Sequence, residues 1–329
     1  MSKNNKWKNL CKPLLILPLL ATTTVNCAQP EPRSSVATST ATIPTEAVVA
    51  QTTPTNLTAQ NPEIVNFTET PGWQKNLLVD DVPYDLYIPP DYGDNNSLPC
   101  LLVLPGWDFS RSSWVENAPL VEYADRYGYA LVLPEMDKTL YESQYYPETQ
   151  PAYKWNSTPG GQFIKEKLIP HIQKNHNLLQ PGQHNTMLGL STGGRGVALI
   201  ALENPELFVA GASLSGDFSQ ENMTDDKLMT GVYGSFNQFR DRWLGRDNPQ
   251  ERADEWKMPL YLAHGTADSI VPESQSRLFY DTLKKFHGQS IPLVYDPVTG
   301  AGHDYKFWGG QLEAVFEFLQ KNNHETNPN

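Results

Sequence analysis

The run Thr186-Met187-Leu188-Gly189-Leu190-Ser191-Thr192-Gly193-Gly194-Arg195-Gly196-Val197-Ala198-Leu199-Ile200 changes character at Ser191. Before it lies an apolar, strand-like stretch over 186–190. After it comes a helix-forming stretch over 193–204. Strand, turn and helix thus meet at Gly189-x-Ser191-x-Gly193. This is the G-x-S-x-G nucleophile elbow in the local setting that the motif requires. The sharp turn strains the serine backbone and lifts its hydroxyl above the sheet edge. Positions 189 and 193 must be small, because strand and helix nearly touch there.

The same alternation continues on both sides. Strand-like runs fall at 76–79 and 84–88, around a turn at Asp80-Asp81, and at 100–104, 130–133, 209–214, 260–263 and 292–295. Helical patterns fall at 118–127, 161–175, 273–286 and 308–321. Continuous apolar strands alternating with helices predict an α/β fold, a mostly parallel central sheet covered by helices on both faces. Residues 63–329 suit one such domain, with no internal repeat or linker.

A serine hydroxyl needs a base, and the base needs an orienting acid. On this architecture the chain order is serine, acid, histidine. Asp268 follows the strand at 260–263, and His303 lies in the Gly-rich loop Thr299-Gly300-Ala301-Gly302-His303. Ser191, Asp268 and His303 are therefore the expected triad. Asp217, after the strand at 209–214, is the runner-up acid, and His264 is the competing base. His264 reads instead as a structural histidine satisfied by backbone groups. His171, His176, His287 and His324 fall beside polar helical ends and read as solvated. The backbone amides of Thr192 and Trp107 are the expected oxyanion donors, one after the nucleophile and one in the loop after the strand at 100–104. Arg195 reads as the partner of a carboxylate.

The chain has 329 residues, 39% of them hydrophobic, and a formal net charge of −12. That size allows a sizeable core, and the acidity argues against a nucleic-acid partner. Three cysteines (Cys11, Cys27, Cys100) cannot build a disulfide framework. Cys100 sits in a strand and reads as a core residue. Lys3, Lys6, Lys8 and Lys12 precede the apolar run at 13–21, which is about half the ~20 residues needed to span a bilayer. This reads as an export signal over 1–26. Thr24-Val25-Asn26-Cys27-Ala28 resembles a bacterial lipoprotein signal, with Cys27 as the lipidated residue. Thr24 and Asn26 depart from the residues usual there, and an ordinary cleaved signal is the competing reading. Residues 28–62 hold eight Thr, three Ser, five Pro and six Ala and no aromatic residue. Such a segment cannot bury enough apolar surface to offset its ordering entropy, so 27–62 reads as a disordered tether.

The chain resembles the esterase D-like branch of the α/β-hydrolases, which includes feruloyl and acetylxylan esterases, S-formylglutathione hydrolases and the mycolyltransferases. The resemblance covers roughly 75–320. It rests on Gly189-Leu-Ser191-Thr-Gly-Gly-Arg-Gly196 with Asn204-Pro-Glu-Leu-Phe208, on Ala210-Gly-Ala-Ser-Leu-Ser-Gly216, and on Tyr153-Lys154-Trp155. It rests also on Gly302-His303-Asp304-Tyr305-Lys-Phe-Trp308. It implies an α/β-hydrolase fold, the triad Ser191, Asp268 and His303, and ester hydrolysis or acyl transfer through an acyl-serine. It implies no metal or organic cofactor. Pro105 replaces a histidine common in such enzymes.

The loop 141–155 is rich in aromatic residues and, with Trp107 and Trp114, suggests a ring-lined cleft. Trp107, Tyr153, Trp155 and Trp308 are the candidate substrate contacts, for an ester linked to carbohydrate or to a phenolic group. The bland alternative is a loop packing on its own rings. Acyl transfer and serine peptidase activity share the triad and remain alternatives. A non-catalytic binding protein on the cell surface is the alternative of a different class.

Overall fold

The computed structural model describes residues 69–90 and 98–324. The expected export signal, the tether and Cys27 lie outside the described residues. Eight strands form one sheet: β1 (Gly72–Val79), β2 (Val82–Ile88), β3 (Cys100–Leu104), β4 (Ala130–Pro134), β5 (Asn185–Leu190), β6 (Ala210–Leu214), β7 (Leu260–Gly265) and β8 (Leu293–Val298). Their order is β1-β2-β4-β3-β5-β6-β7-β8. β1 pairs with β2, and β2 with β4, antiparallel; every other pairing is parallel. The β1–β2 turn falls at Asp80-Asp81, with Asp80 in the left-handed region (φ 55°).

The helices are α1 (Ser113–Asn117), α2 (Leu120–Tyr127), α3 (Gly160–Phe163), α4 (Ile169–His176), α5 (Thr192–Glu203), α6 (Lys227–Tyr233), α7 (Arg240–Trp243), α8 (Ser274–His287), α9 (Tyr305–Gly310) and α10 (Leu312–His324). The helix predicted from 118 starts at 120, because Ala118 is extended (φ −149°, ψ 154°) ahead of Pro119. A π-helical turn at Ile164–Leu168 joins α3 to α4. Pro170 follows it and cannot donate to the carbonyl four residues back, a mismatch that a wider turn can absorb. The last predicted helix divides into α9 and α10 at Gln311.

Strand residues alternate between two apolar layers, as the two-residue repeat of a strand demands. Cys100, Leu102 and Leu104 face a core completed by Ile164, Ile172, Val197, Ile200 and Phe279. Leu101 and Val103 face the other, completed by Leu120, Trp308, Val315 and Phe316. Both faces are covered, so the central strands read as unbroken apolar runs. Cys100 is fully buried in the first layer, and burial pushes its thiol well above the ordinary value.

β3 pairs with β4 on one side and β5 on the other, and β4 leads across to β5 through α3 and α4. The chain therefore changes direction along the sheet between β3 and β5. The carboxyl ends of such neighbouring strands open a crevice where ligands bind. Trp107 follows β3 and Ser191 follows β5, one on each side of it.

Candidate active site

Ser191 adopts φ 53°, ψ −125°, a backbone state that a non-glycine residue reaches only when its surroundings force it. The forcing is local. A Cβ at Gly189 would lie 2.1 Å from the Gly193 carbonyl oxygen, and one at Gly193 would lie 2.2 Å from that of Leu104. Ser191 is held by its amide donating to the Leu214 carbonyl (2.8 Å) and by its own carbonyl accepting from the Arg195 amide (3.2 Å).

The hydroxyl lies 3.0 Å from His303 Nε2, and His303 Nδ1 lies 2.6 Å from Asp268 Oδ2. The chain brings these three together across 112 and 35 residues of separation. An ionised carboxylate only accepts, so Nδ1 carries the proton and Nε2 faces the serine as the acceptor. Asp268 Oδ1 accepts from the amides of Ile270 and Val271, both at 2.9 Å. Its side chain is fully buried. Burial alone would raise this carboxyl. Hydrogen bonds from His264, His303 and the two amides outweigh that and hold it far below the usual carboxylate range.

His264 is fully buried behind the acid. Its Nε2 lies 3.0 Å from the Val271 carbonyl and 3.4 Å from Asp268 Oδ2, and its Nδ1 lies 2.8 Å from Ser276 Oγ. A carbonyl can only accept, so Nε2 bears the proton and the Ser276 hydroxyl donates to Nδ1. His264 thus braces the loop that carries Asp268 and does not meet Ser191. Its partners are two side chains as well as the backbone. Asp217 is not the carboxylate that meets His303: it is buried and paired with Arg195 (3.2 Å), and burial pushes its carboxyl up against that pull.

A cavity of about 240 Å³ opens beside Ser191 and His303. Its walls include Trp107, Thr192, Leu140, Met223, Leu228 and Met229. Trp107 and Thr192 thus flank Ser191. Thr192 is the first residue of α5, where amides have no partner inside the helix and favour negative charge. Asp226, also in the wall, caps α6 by accepting from the amides of Leu228 (2.8 Å) and Met229 (2.9 Å).

The four candidate aromatic contacts part company. Trp107 lines the cavity. Tyr153 stands behind it, ring centroids 5.6 Å apart, and packs against Gly231 of α6. Trp155 packs edge-on against Phe163 (5.4 Å) in the first core layer, away from the cavity wall. Trp308 is buried and meets His303 edge-on at 5.0 Å, while its indole N–H donates to Ser215 Oγ (3.2 Å). It buttresses the imidazole and does not face the cavity. Tyr141 is buried too, donating to the Pro105 carbonyl at 2.7 Å. Much of loop 141–155 therefore packs on the protein. His171 and His176 are not free in solvent either: both reach the Tyr84 hydroxyl, at 3.1 and 2.6 Å, and His176 also meets Glu69 (2.9 Å). His287 reaches the Ala253 carbonyl (2.8 Å).

The sequence did not single out Leu140, Met223, Leu228, Met229 and Ile270 as wall residues. They come from loops and a short helix without periodic pattern. Only Asp226 carried a signal, as an N-cap residue before an apolar run. Among the described residues no group of three or more His, Cys, Asp or Glu side chains is placed to hold a metal ion.

A family model described as "Putative esterase" matches residues 76–319. An acetyl esterase of Caldicellulosiruptor saccharolyticus is 24% identical over 242 residues, covering 69% of this chain and 85% of that one. The diacylglycerol acyltransferase/mycolyltransferase Ag85A of Mycobacterium tuberculosis is 24% identical over 265 residues, covering 70% of this chain and 75% of that one. In fold, the S-formylglutathione hydrolase of Agrobacterium tumefaciens superposes with a TM-score of 0.62 at 18% identity, covering 82% of this chain and 99% of that one. With the match running from β1 into α10, this chain belongs to the esterase family of α/β-hydrolase-fold enzymes.

Proposed function

We propose that the protein hydrolyses carboxylic esters of short, apolar acyl groups through an acyl-serine at Ser191. The observation that carries this reading is the continuous chain of hydrogen bonds from Ser191 Oγ through His303 to Asp268, opening on an apolar cavity. His303 Nε2 takes the hydroxyl proton as Oγ attacks the ester carbonyl. The amides of Trp107 and Thr192 receive the developing oxyanion. His303 then returns the proton to the departing alcohol, whose bond to the carbonyl breaks. Water, deprotonated by the same imidazole, releases the acid and restores Ser191. Asp268, ionised throughout, keeps the proton on Nδ1 and stabilises the imidazolium.

The cavity of about 240 Å³ corresponds to the space of about eight water molecules at ~30 Å³ each, which the acyl group and the alcohol portion share, so that acyl groups of a few carbons are favoured. The exposed Ile270 at its edge suits an apolar alcohol portion. Steady-state hydrolysis of p-nitrophenyl acetate, butyrate and octanoate tests the substrate class. Falling kcat/KM along that series is expected, and a rise toward octanoate contradicts the reading.

Acyl transfer is the second reading, favoured by the match to the acyltransferase Ag85A. It differs only in which alcohol accepts the acyl group from Ser191. Product analysis with a diacylglycerol competing against water separates the two. The basic and apolar runs at the N-terminus support export, with Cys27 as lipid anchor. Incorporation of labelled palmitate into the full chain, lost in Cys27→Ser, tests that.

A further inference from the structure

Arg195 stands in the first turn of α5, four residues after the nucleophile, and is fully buried. A guanidinium out of water persists when its rigid fork of donors is used. Here Nε donates to the Leu140 carbonyl (3.2 Å) and Nη1 to Asp217 Oδ2 (3.2 Å). Nη2 donates to the Tyr233 hydroxyl oxygen (3.4 Å) and to the Asp247 carbonyl. The four partners come from four stretches: the loop after β4, the loop after β6, the end of α6, and the loop after α7.

Those stretches are tied to one another as well. The Asp247 carboxylate accepts from the Ser143 amide (3.1 and 3.0 Å) and from the Tyr233 hydroxyl (3.4 Å). Three of the four also furnish the cavity wall: Leu140, Asp217, and α6 with Leu228 and Met229. None of these side chains takes part in the hydrogen bonds among Ser191, His303 and Asp268. The guanidinium therefore sits where the helix that carries the nucleophile meets the wall opposite it.

We propose that Arg195 is the positioning residue of the acyl pocket: it sets the distance between Ser191 and the wall of Leu140, Asp217 and α6, and so sets the preferred acyl length. This rests on Ser191 being the acylated residue. A lysine would keep a positive charge beside Asp217 but is a point charge on a flexible stem, unable to span four partners. Arg195→Lys thus loosens the wall without stranding a buried carboxylate. Tyr233→Phe removes one partner and leaves the arginine in place.

The test is the ratio of kcat/KM for p-nitrophenyl acetate over p-nitrophenyl octanoate, with a thermal melt for each variant. In Arg195→Lys the ratio falls by about tenfold or more, the range that a misfit of ~1 methylene commands. In Tyr233→Phe it falls in the same direction by less. A merely structural role lowers both substrates together and leaves the ratio where it was. An unmoved ratio in folded Arg195→Lys overturns the proposal; if that variant does not fold, an unmoved ratio in Tyr233→Phe does so. Wild-type protein whose Ser191 fails to react with a fluorophosphonate, read by mass spectrometry, overturns the nucleophile assignment instead.

Discussion

Ser191, Asp268 and His303 each follow a strand of the sheet, whereas Leu140, Met223 and Met229 stand on loops and a short helix laid over it. The first group is held mainly by backbone, with the His264 and Trp308 side chains packed behind it. Strained φ at Ser191, two glycines without room for a Cβ, and two amides on Asp268 Oδ1 fix it. The second group is held by side chains, above all by Arg195, Tyr233 and Asp247. On the proposed function, the strand ends of the sheet carry the reaction and the overlying segments select what enters. Substitutions in the two regions should therefore fail differently.

Asp268→Asn should lower kcat by about 10⁴-fold, because the amide no longer holds the imidazole proton on Nδ1. The melting temperature should change far less than activity, and a variant with near-normal turnover would break the comparison. Leu102→Ala, in the first core layer, should cost about 2–5 kcal/mol of stability through lost burial and a residual cavity. Its kcat per folded molecule should stay close to the wild-type value, as chemical denaturation combined with active-site titration would show. Met229→Ala enlarges the cavity wall and should shift preference toward longer acyl chains by about 10-fold or more, the range for ~1 methylene of fit.

The smallest effect belongs far from the site. Glu203 bonds Lys165 (3.0 Å), Arg252 (2.9 Å) and Arg246. Burial would raise its carboxyl, but these three cations bring it down to about 2. A carboxyl lowered on folding stabilises fully above its unfolded value of about 4.3, and that contribution fades as pH falls through the folded value. Glu203→Gln should therefore melt lower than wild type at pH 7, with the gap closing in the window between about 4.3 and 2. A gap that persists at the acid end of that window would contradict the assignment.

The two regions also differ in how plainly the sequence spoke. Strands β3 to β7 announce themselves as apolar runs, and the Ser191 elbow, Asp268 and His303 follow them at strand ends. Chain order, their places at strand ends and the family resemblance brought those three residues together. The segment 216–257 holds α6, α7 and short 3₁₀ turns in a stretch without periodicity, so its role in the cavity was not visible. Aromatic content misled in loop 141–155, because composition does not say which way a ring points. Trp155 and Trp308 face inward, and of the four candidate contacts Trp107 alone lines the cavity, beside Phe109. Arg195 was read as paired with a carboxylate, which is the case with Asp217, but its three other partners lie 38 to 55 residues away in sequence.

The direct measurement is fluorophosphonate labelling of the purified protein, followed by peptide mass spectrometry and by ester hydrolysis of wild type and Ser191→Ala. The label should fall on Ser191 alone, and the folded alanine variant should lose both label and about 10⁶-fold in kcat. Label on another serine, or wild-type turnover in Ser191→Ala, would contradict the assignment of the nucleophile.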